Sequence, residues 1–252
     1  MSNGIYVALS ANVAAEKNMD VVSNNLANAT TVGFKKEKSI FYNYVHKYKD
    51  TEIPEKMKIQ GTPQDKNFVD LDDTYTDFQM GSLKNTGNPL DFAISGDGFF
   101  KVEKDGTQFF QRQGVFMRGT DGTLICQDGA SVLDINGAPI ILQPDKEVHV
   151  TEKGEIFQGE VAVATIGMST VDNKSWLEKR GDTRYVLTGQ GAEIPSEEAM
   201  IHQGFLESAN VNAVAEMVEM IKANRHYEAA AKAIKTYQNM DDKAINKVGV
   251  VS

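Results

Sequence analysis

Counted in sevens, the first thirty residues place Ile5, Asn12, Met19 and Leu26 in one row and Ala8, Ala15, Val22 and Ala29 in another. The last forty repeat the pattern, with Met217, Asn224, Ala231, Gln238 and Ile245 beside Met220, Tyr227, Ile234, Asp241 and Val248. Residues recurring at three and four positions share one helix face, so each end is expected as a helix carrying an a/d heptad stripe. Asn3 to Ala29 contains one glycine and no proline. Val211 to about Val248 reads as a helix on the order of 50 Å long. Its expected caps are Ser208 or Asn210 at the start and Gly249 at the end.

Between these ends the period drops toward two. Short alternating runs such as Leu90, Phe92, Ile94 and Val148, Val150 lie between Asp105-Gly106, Asp121-Gly122, Asp128-Gly129 and Asn136-Gly137, pairs that take up the positive φ of tight hairpins. The pattern predicts an α+β chain in which two terminal helices flank a β-rich central domain, an irregular sandwich or barrel. The expected segments are 1–35, an amino-terminal assembly helix and turn; 36–87, an extended polar connection; 88–208, the β-rich domain; and 209–252, a carboxy-terminal assembly helix.

Each stripe has two readings, packing on the chain's own body or meeting a partner. Asn12, Asn224 and Gln238 stand in the heptad rows, where polar residues cost stability but set register and partner number. Small residues fill the first stripe and bury little area each, so these ends are expected to order when partners meet them. The amides of Asn24, Asn25 and Asn28 read either as a polar ladder between subunits or as caps of the helix end, with Gly33 turning the chain away and Phe34 anchoring the turn. Tyr227 reads as a seam residue or as an ordinary half-exposed tyrosine.

The formal charge of -9 disfavours a phosphate-binding surface, so nucleic acid is not an expected partner. The single Cys126 excludes an intramolecular disulfide and a cysteine-based zinc site. The opening residues lack the basic-then-apolar order of a Sec signal, and no apolar run reaches the roughly 18 residues of a membrane span. Neither a cleaved signal nor membrane insertion is therefore expected. His46, His149, His202 and His226 are scattered, and no nucleophile elbow or phosphate-binding loop appears, so no catalytic residue, metal or cofactor is assigned. A monomeric β-rich binding module or secreted enzyme with helical accessories remains the alternative of another class.

Three stretches carry a resemblance. Ser23 to Lys36, SNNLANATTVGFKK, resembles the amino-terminal signature of flagellar basal-body rod and hook axial proteins. Asn88 to Phe100, NPLDFAISGDGFF, looks like that family's entry into its central domain, and Gln203 to Met240 resembles its carboxy-terminal signature. The opening GIYVALS and the run TDFQMGSLKNTGNPLDFAI are most similar to proximal-rod members, with distal-rod members as the alternative. His226 departs from the pattern by standing between Arg225 and Tyr227-Glu228.

The resemblance implies a structural, non-catalytic subunit whose paired terminal helices pack into a torque-transmitting tube, with the β-rich domain outside. It implies a place in the periplasmic rod of the basal body, export by the flagellar type III apparatus, and as partners other rod proteins and further copies of itself. The residues then expected at the assembly interface are Ile5, Asn12, Met19, Val22, Asn24, Asn25, Leu26, Asn28 and Phe34 on the first segment. On the second they are Met217, Met220, Asn224, Tyr227 and Ile234.

Overall fold

A computed structural model describes residues 2–46, 66–144, 146–181, 183–189, 191–196 and 198–248. The chain is α+β, a helix at each end flanking a β-rich middle, and it divides into two compact units. The first comprises residues 1–26, 37–76 and 213–252, the second 27–36 and 77–212.

In the first unit, helix α1 spans Ser2–Ala27 and helix α2 spans Ala213–Val248. Both runs are free of proline and consist largely of residues that lose little side-chain freedom in a helix. Between them in sequence, Glu37–His46 pairs antiparallel with Lys66–Thr76, from Glu37 opposite Thr76 to His46 opposite Lys66. Residues 37–46 and 66–76 of the stretch expected as an extended polar connection thus form a two-stranded ribbon, and Leu83–Asn85 is a strand paired with Phe205–Glu207. Neither helix is long and apolar enough to cross a membrane among the described residues.

The start of α2 differs from expectation. Asn210 does not cap it, because its side chain is already engaged: Oδ1 accepts from the Lys36 amide at 2.7 Å, and Nδ2 donates to the carbonyls of Asp77 and Gln79 at 2.7 and 3.0 Å. The helix starts three residues later. Gly249, expected at its end, lies outside the described residues, as do the side chains of Ile245 and Val248.

The second unit holds the central sheets. Its largest has the antiparallel order Leu177–Lys179, Arg184–Leu187, Thr107–Gln111, Phe99–Lys104, Ser131–Val132, Leu124–Cys126, Phe116–Arg118, with Met168–Val171 bridging Phe99–Lys104 to Glu193–Pro195. Asp105-Gly106 forms the two-residue turn between Lys104 and Thr107. Asp105 has φ 52°, the only positive value outside glycine among the described residues, and φ at Gly106 is 74°, as a type I′ hairpin demands. Successive strand side chains point to opposite faces, so the pair Phe99-Phe100 serves two cores. Phe100 packs edge-on against Phe116 at 5.2 Å in the larger cluster, and Phe99 meets Phe78 at 5.5 Å in the smaller one with Tyr185. The expected alternation holds at Val148 to Val150, where His149 faces out, but fails at Phe92 to Ile94. There Ala93 is buried along with Phe92 and Ile94, so both faces of the strand are covered.

A fork of charges ties two strands of the large sheet to a turn. Both Arg184 Nη atoms reach the Asp128 carboxylate at 2.6 Å, and Lys104 joins at 2.9 Å. The Arg184 hydrogen bonds hold the Asp128 carboxyl well below the usual carboxylate range. A depressed folded pKa contributes stability above the unfolded value, about 3.9, and loses it as pH falls through the folded value. Asp128→Asn is therefore expected to melt below the parent at pH 7, with the gap narrowing on acidification below about pH 4. Thermal melts across that range check it.

Candidate assembly surface

The turn after α1 is built by short-range bonds. The Thr31 amide donates to the Asn28 carbonyl at 3.0 Å, and the Thr31 hydroxyl to Asn28 Oδ1 at 3.1 Å, so Asn28 closes the turn locally. Gly33 then takes φ +71° and donates its N–H to the Glu207 carbonyl at 2.8 Å. A Cβ there would overlap the backbone nitrogen of Gln113. Phe34 is fully buried, with the Lys179 ammonium 4.3 Å from its ring centroid.

Beyond Phe34 lies a clamp of buried charge. Lys35 Nζ donates to Glu207 Oε1 at 2.6 Å and to the Gln79 carbonyl at 2.8 Å; the Gly81 amide donates to the same carboxylate oxygen at 2.8 Å. Arg112 approaches the other oxygen at 3.4 Å and donates to the carbonyls of Ile94 and Gly96 at 3.0 and 2.7 Å. Lys35, Arg112 and Glu207 are all essentially inaccessible. Burial lowers the pKa of both cations, against the pull of Glu207. Two cations share one carboxylate, and the three carbonyl dipoles supply the remaining compensation. The clamp joins the turn after α1, the segment around residue 80 and the strand Phe205–Glu207 that leads toward α2.

In the first unit α1 and α2 meet antiparallel. At one end Asn25 Nδ2 donates to Glu216 Oε2 at 3.3 Å; at the other the Tyr237 ring lies against Gly4, where a Cβ would stand 2.5 Å from the ring. Gly4 to Asn25 and Glu216 to Tyr237 span the same number of residues, so the two contacts define one register. Asn25 also grips the ribbon, donating to the Glu37 carbonyl at 2.8 Å and accepting from its amide at 2.9 Å. Ala11, Ala14, Ala15 and Asn18 face Glu219, Lys222, Ala223 and His226 across a groove of about 360 Å³ between the helices.

The inward positions of α1 follow Gly4, Ala8, Ala11, Ala15, Asn18, Val22, Asn25; those of α2 follow Glu216, Met220, Ala223, Tyr227, Ala230, Ile234, Tyr237, Asp241. One heptad row on each helix, with Ala8, Ala15 and Val22 or Met220, Tyr227 and Ile234, lies on the inward side of this contact. The other is displaced by one residue. Ile5, Asn12, Met19 and Leu26 sit half-buried on the flank of α1, whereas Met217, Asn224 and Gln238 are exposed. Asn18, Asn25 and Glu216 enter the helix contact, with Glu219, Lys222 and His226 lining the groove beside it, while Asn12 Oδ1 is buried with no donor among the described residues. Asn24 is exposed, so the three amides take three different situations.

Outside the contact, both helices show apolar surface. Tyr6, Leu9 and Val13 are about half exposed on α1, and Val214, Met217, Val218 and Ile221 on α2. Of these only Met217 is among the residues expected from the heptads. The clamp residues Lys35, Arg112 and Glu207 and the tie Asn210 were also missed. A single charge after the apolar pair Phe205-Leu206 is the signal that could have found Glu207; Lys35 heads the charged run Lys35-Lys36-Glu37-Lys38, and Arg112 has no such signal nearby.

Comparison with known proteins agrees with this layout. Residues 5–35 match the family model described as flagella basal body rod protein, residues 93–158 the flagellar hook protein FlgE/F/G D1 domain, and residues 202–247 the flagellar basal body rod FlgEFG protein C-terminal. The flagellar basal-body rod protein FlgF of Caulobacter vibrioides is 34% identical over 253 residues, covering 100% of both chains. FlgF of Mesorhizobium japonicum is 32% identical over 99% of each chain, and the rod protein FlgG of Borreliella burgdorferi 31% identical over 95% of this chain and 96% of that one. Similar in sequence from end to end, with a matched rod segment on each terminal helix, the chain belongs to the flagellar basal-body rod protein family.

Proposed function

We propose that this chain is a structural, non-catalytic subunit that polymerises through its terminal helices, in a coiled-coil-like manner, into a torque-transmitting tube. Its place is the proximal part of the rod, with a distal position as the alternative. The β-rich middle, an irregular sandwich or barrel, lies on the outside of the tube. Other rod proteins and further copies are its partners, and the flagellar type III apparatus exports it with no signal cleaved. The observation that carries this reading is the apolar surface left on both helices after they have met each other. A helix pair with nothing to recruit would turn that surface inward. The Asn25–Glu216 hydrogen bond and the Tyr237–Gly4 contact support the pair, and repetition of weak outer contacts supports the tube.

Leu26→Asp and Ile234→Asp each bring a charge to a half-buried apolar position of these helices. Either substitution is expected to abolish swimming in soft agar while the β-rich unit melts at the parent temperature. Normal swimming with both would overturn the reading.

A further inference from the structure

We propose that the buried cluster of Lys35, Arg112 and Glu207 is a folding lock: the β-rich unit gains its stable fold only when residues 204–210 dock on the turn after α1. The inference goes beyond the rod reading and holds for any chain that emerges amino end first, as every chain does in synthesis. The turn arrives early. Its seat arrives late, immediately ahead of α2 in the sequence, so this unit closes last.

The contacts that close the unit are concentrated on one short segment. The Glu207 carbonyl receives the Gly33 amide at 2.8 Å, and its carboxylate receives Lys35 Nζ at 2.6 Å, the Gly81 amide at 2.8 Å and Arg112 at 3.4 Å. Asn210 holds the Lys36 amide and the carbonyls of Asp77 and Gln79. Phe205–Glu207 pairs with Leu83–Asn85, and the Ser208 amide extends that ladder to the Ser82 carbonyl at 2.9 Å. The Gly204 amide reaches the Asp91 carbonyl at 2.8 Å, and its own carbonyl takes the Thr86 amide at 2.8 Å. The fit is close enough that a Cβ on Gly81 would overlap the Ser208 carbonyl.

Undocking this segment leaves more than an empty groove. Glu207 carries the only carboxylate within ion-pair distance of Lys35 or Arg112 among the described residues, and both cations are essentially inaccessible. Without it two like charges share a dry site, with the carbonyls of Gln79, Ile94 and Gly96 as their remaining hydrogen-bond partners. An uncompensated buried charge is strongly destabilising, so water must enter and the surrounding elements part. The damage reaches both cores. Ile94, whose carbonyl Arg112 grips, lies in the larger cluster, and the Arg112 guanidinium stands 5.3 Å from the ring of Phe99 in the smaller one. Lys35 and Glu207 are 172 residues apart, and contacts of such separation form only after the loop between them has been closed at an entropic cost.

The test is native-state hydrogen exchange on the full purified chain, read residue by residue. The amides of Gly33 and Gly81, which donate to Glu207, are expected to exchange within about tenfold of the core amides of Leu124 and Leu133, with the same dependence on denaturant. Exchange at Gly33 and Gly81 faster than that would reveal a core that stands with the lock open, and would overturn the proposal. In the full chain carrying Glu207→Gln, all four amides are expected to lose protection by the same factor. Loss confined to Gly33 and Gly81 would equally overturn it, and where the variant does not fold the parent pattern alone decides. Exchange is read on the isolated chain, so a negative result refutes the lock and leaves the rod reading to the swimming assay.

Discussion

Replacing Glu207 by glutamine is expected to destabilise the β-rich unit by about 3–5 kcal/mol, the range for removing one partner of a buried ion pair. The substitution keeps the size of the side chain and a carbonyl to receive Lys35 and the Gly81 amide. What it removes is the only negative charge between two cations that water cannot reach. The loss corresponds to a fall in melting temperature of roughly 10 °C for a unit of this size. Lys35→Met is expected to cost distinctly less. It leaves Arg112 and Glu207 as a balanced pair, with only the second lone pairs of Glu207 and the Gln79 carbonyl short of a donor. Chemical denaturation of the two variants checks the order. A greater loss from Lys35→Met would show that hydrogen bonding, and not charge balance, governs the clamp.

Gly33→Ala is expected to be the second severe substitution. The backbone at φ +71° costs an L-residue about 1–2 kcal/mol, and the added methyl would collide with the backbone of Arg112 and Gln113. Neither neighbour is a side chain that can rotate aside, so the turn itself must shift. Its amide then loses the Glu207 carbonyl, and Lys35 two residues on is dragged from the carboxylate. Gly33→Asn separates the two causes, because asparagine tolerates the left-handed region but carries the same Cβ. If asparagine is as damaging as alanine in thermal melts, the close approach dominates. Full recovery with asparagine would assign the cost to backbone conformation and remove the argument from overlap.

The helical ends and the β-rich middle were legible because they depend on local rules. Glycine and proline scarcity marks the helices, and Asp105-Gly106 predicts its hairpin from two residues alone. The inward row of each helix was only half legible. Ile5 and Gly4, or Met217 and Glu216, are adjacent on a helix, and both choices satisfy a spacing of three and four. An apolar count prefers Ile5 and Met217. The structure prefers Gly4, because Tyr237 needs a floor without a side chain, and Glu216, because Asn25 meets it. Apolar residues were thereby left outside, and the assembly reading now rests on them.

The amino-acid sequence by itself determined the α+β layout, the position of the chain's turns, and membership of the rod family through three stretches quoted from its own residues. Such features are written in neighbours a few positions apart, where steric and hydrogen-bonding preferences act. Only the tertiary structure decided that Lys35, Arg112 and Glu207 share one dry site, that Asn210 ties three strands of chain instead of capping a helix, and that apolar surface remains outside the contact between the helices. These depend on residues distant in sequence, and the energy of a buried charge or an exposed ridge is set by what folding brings beside it.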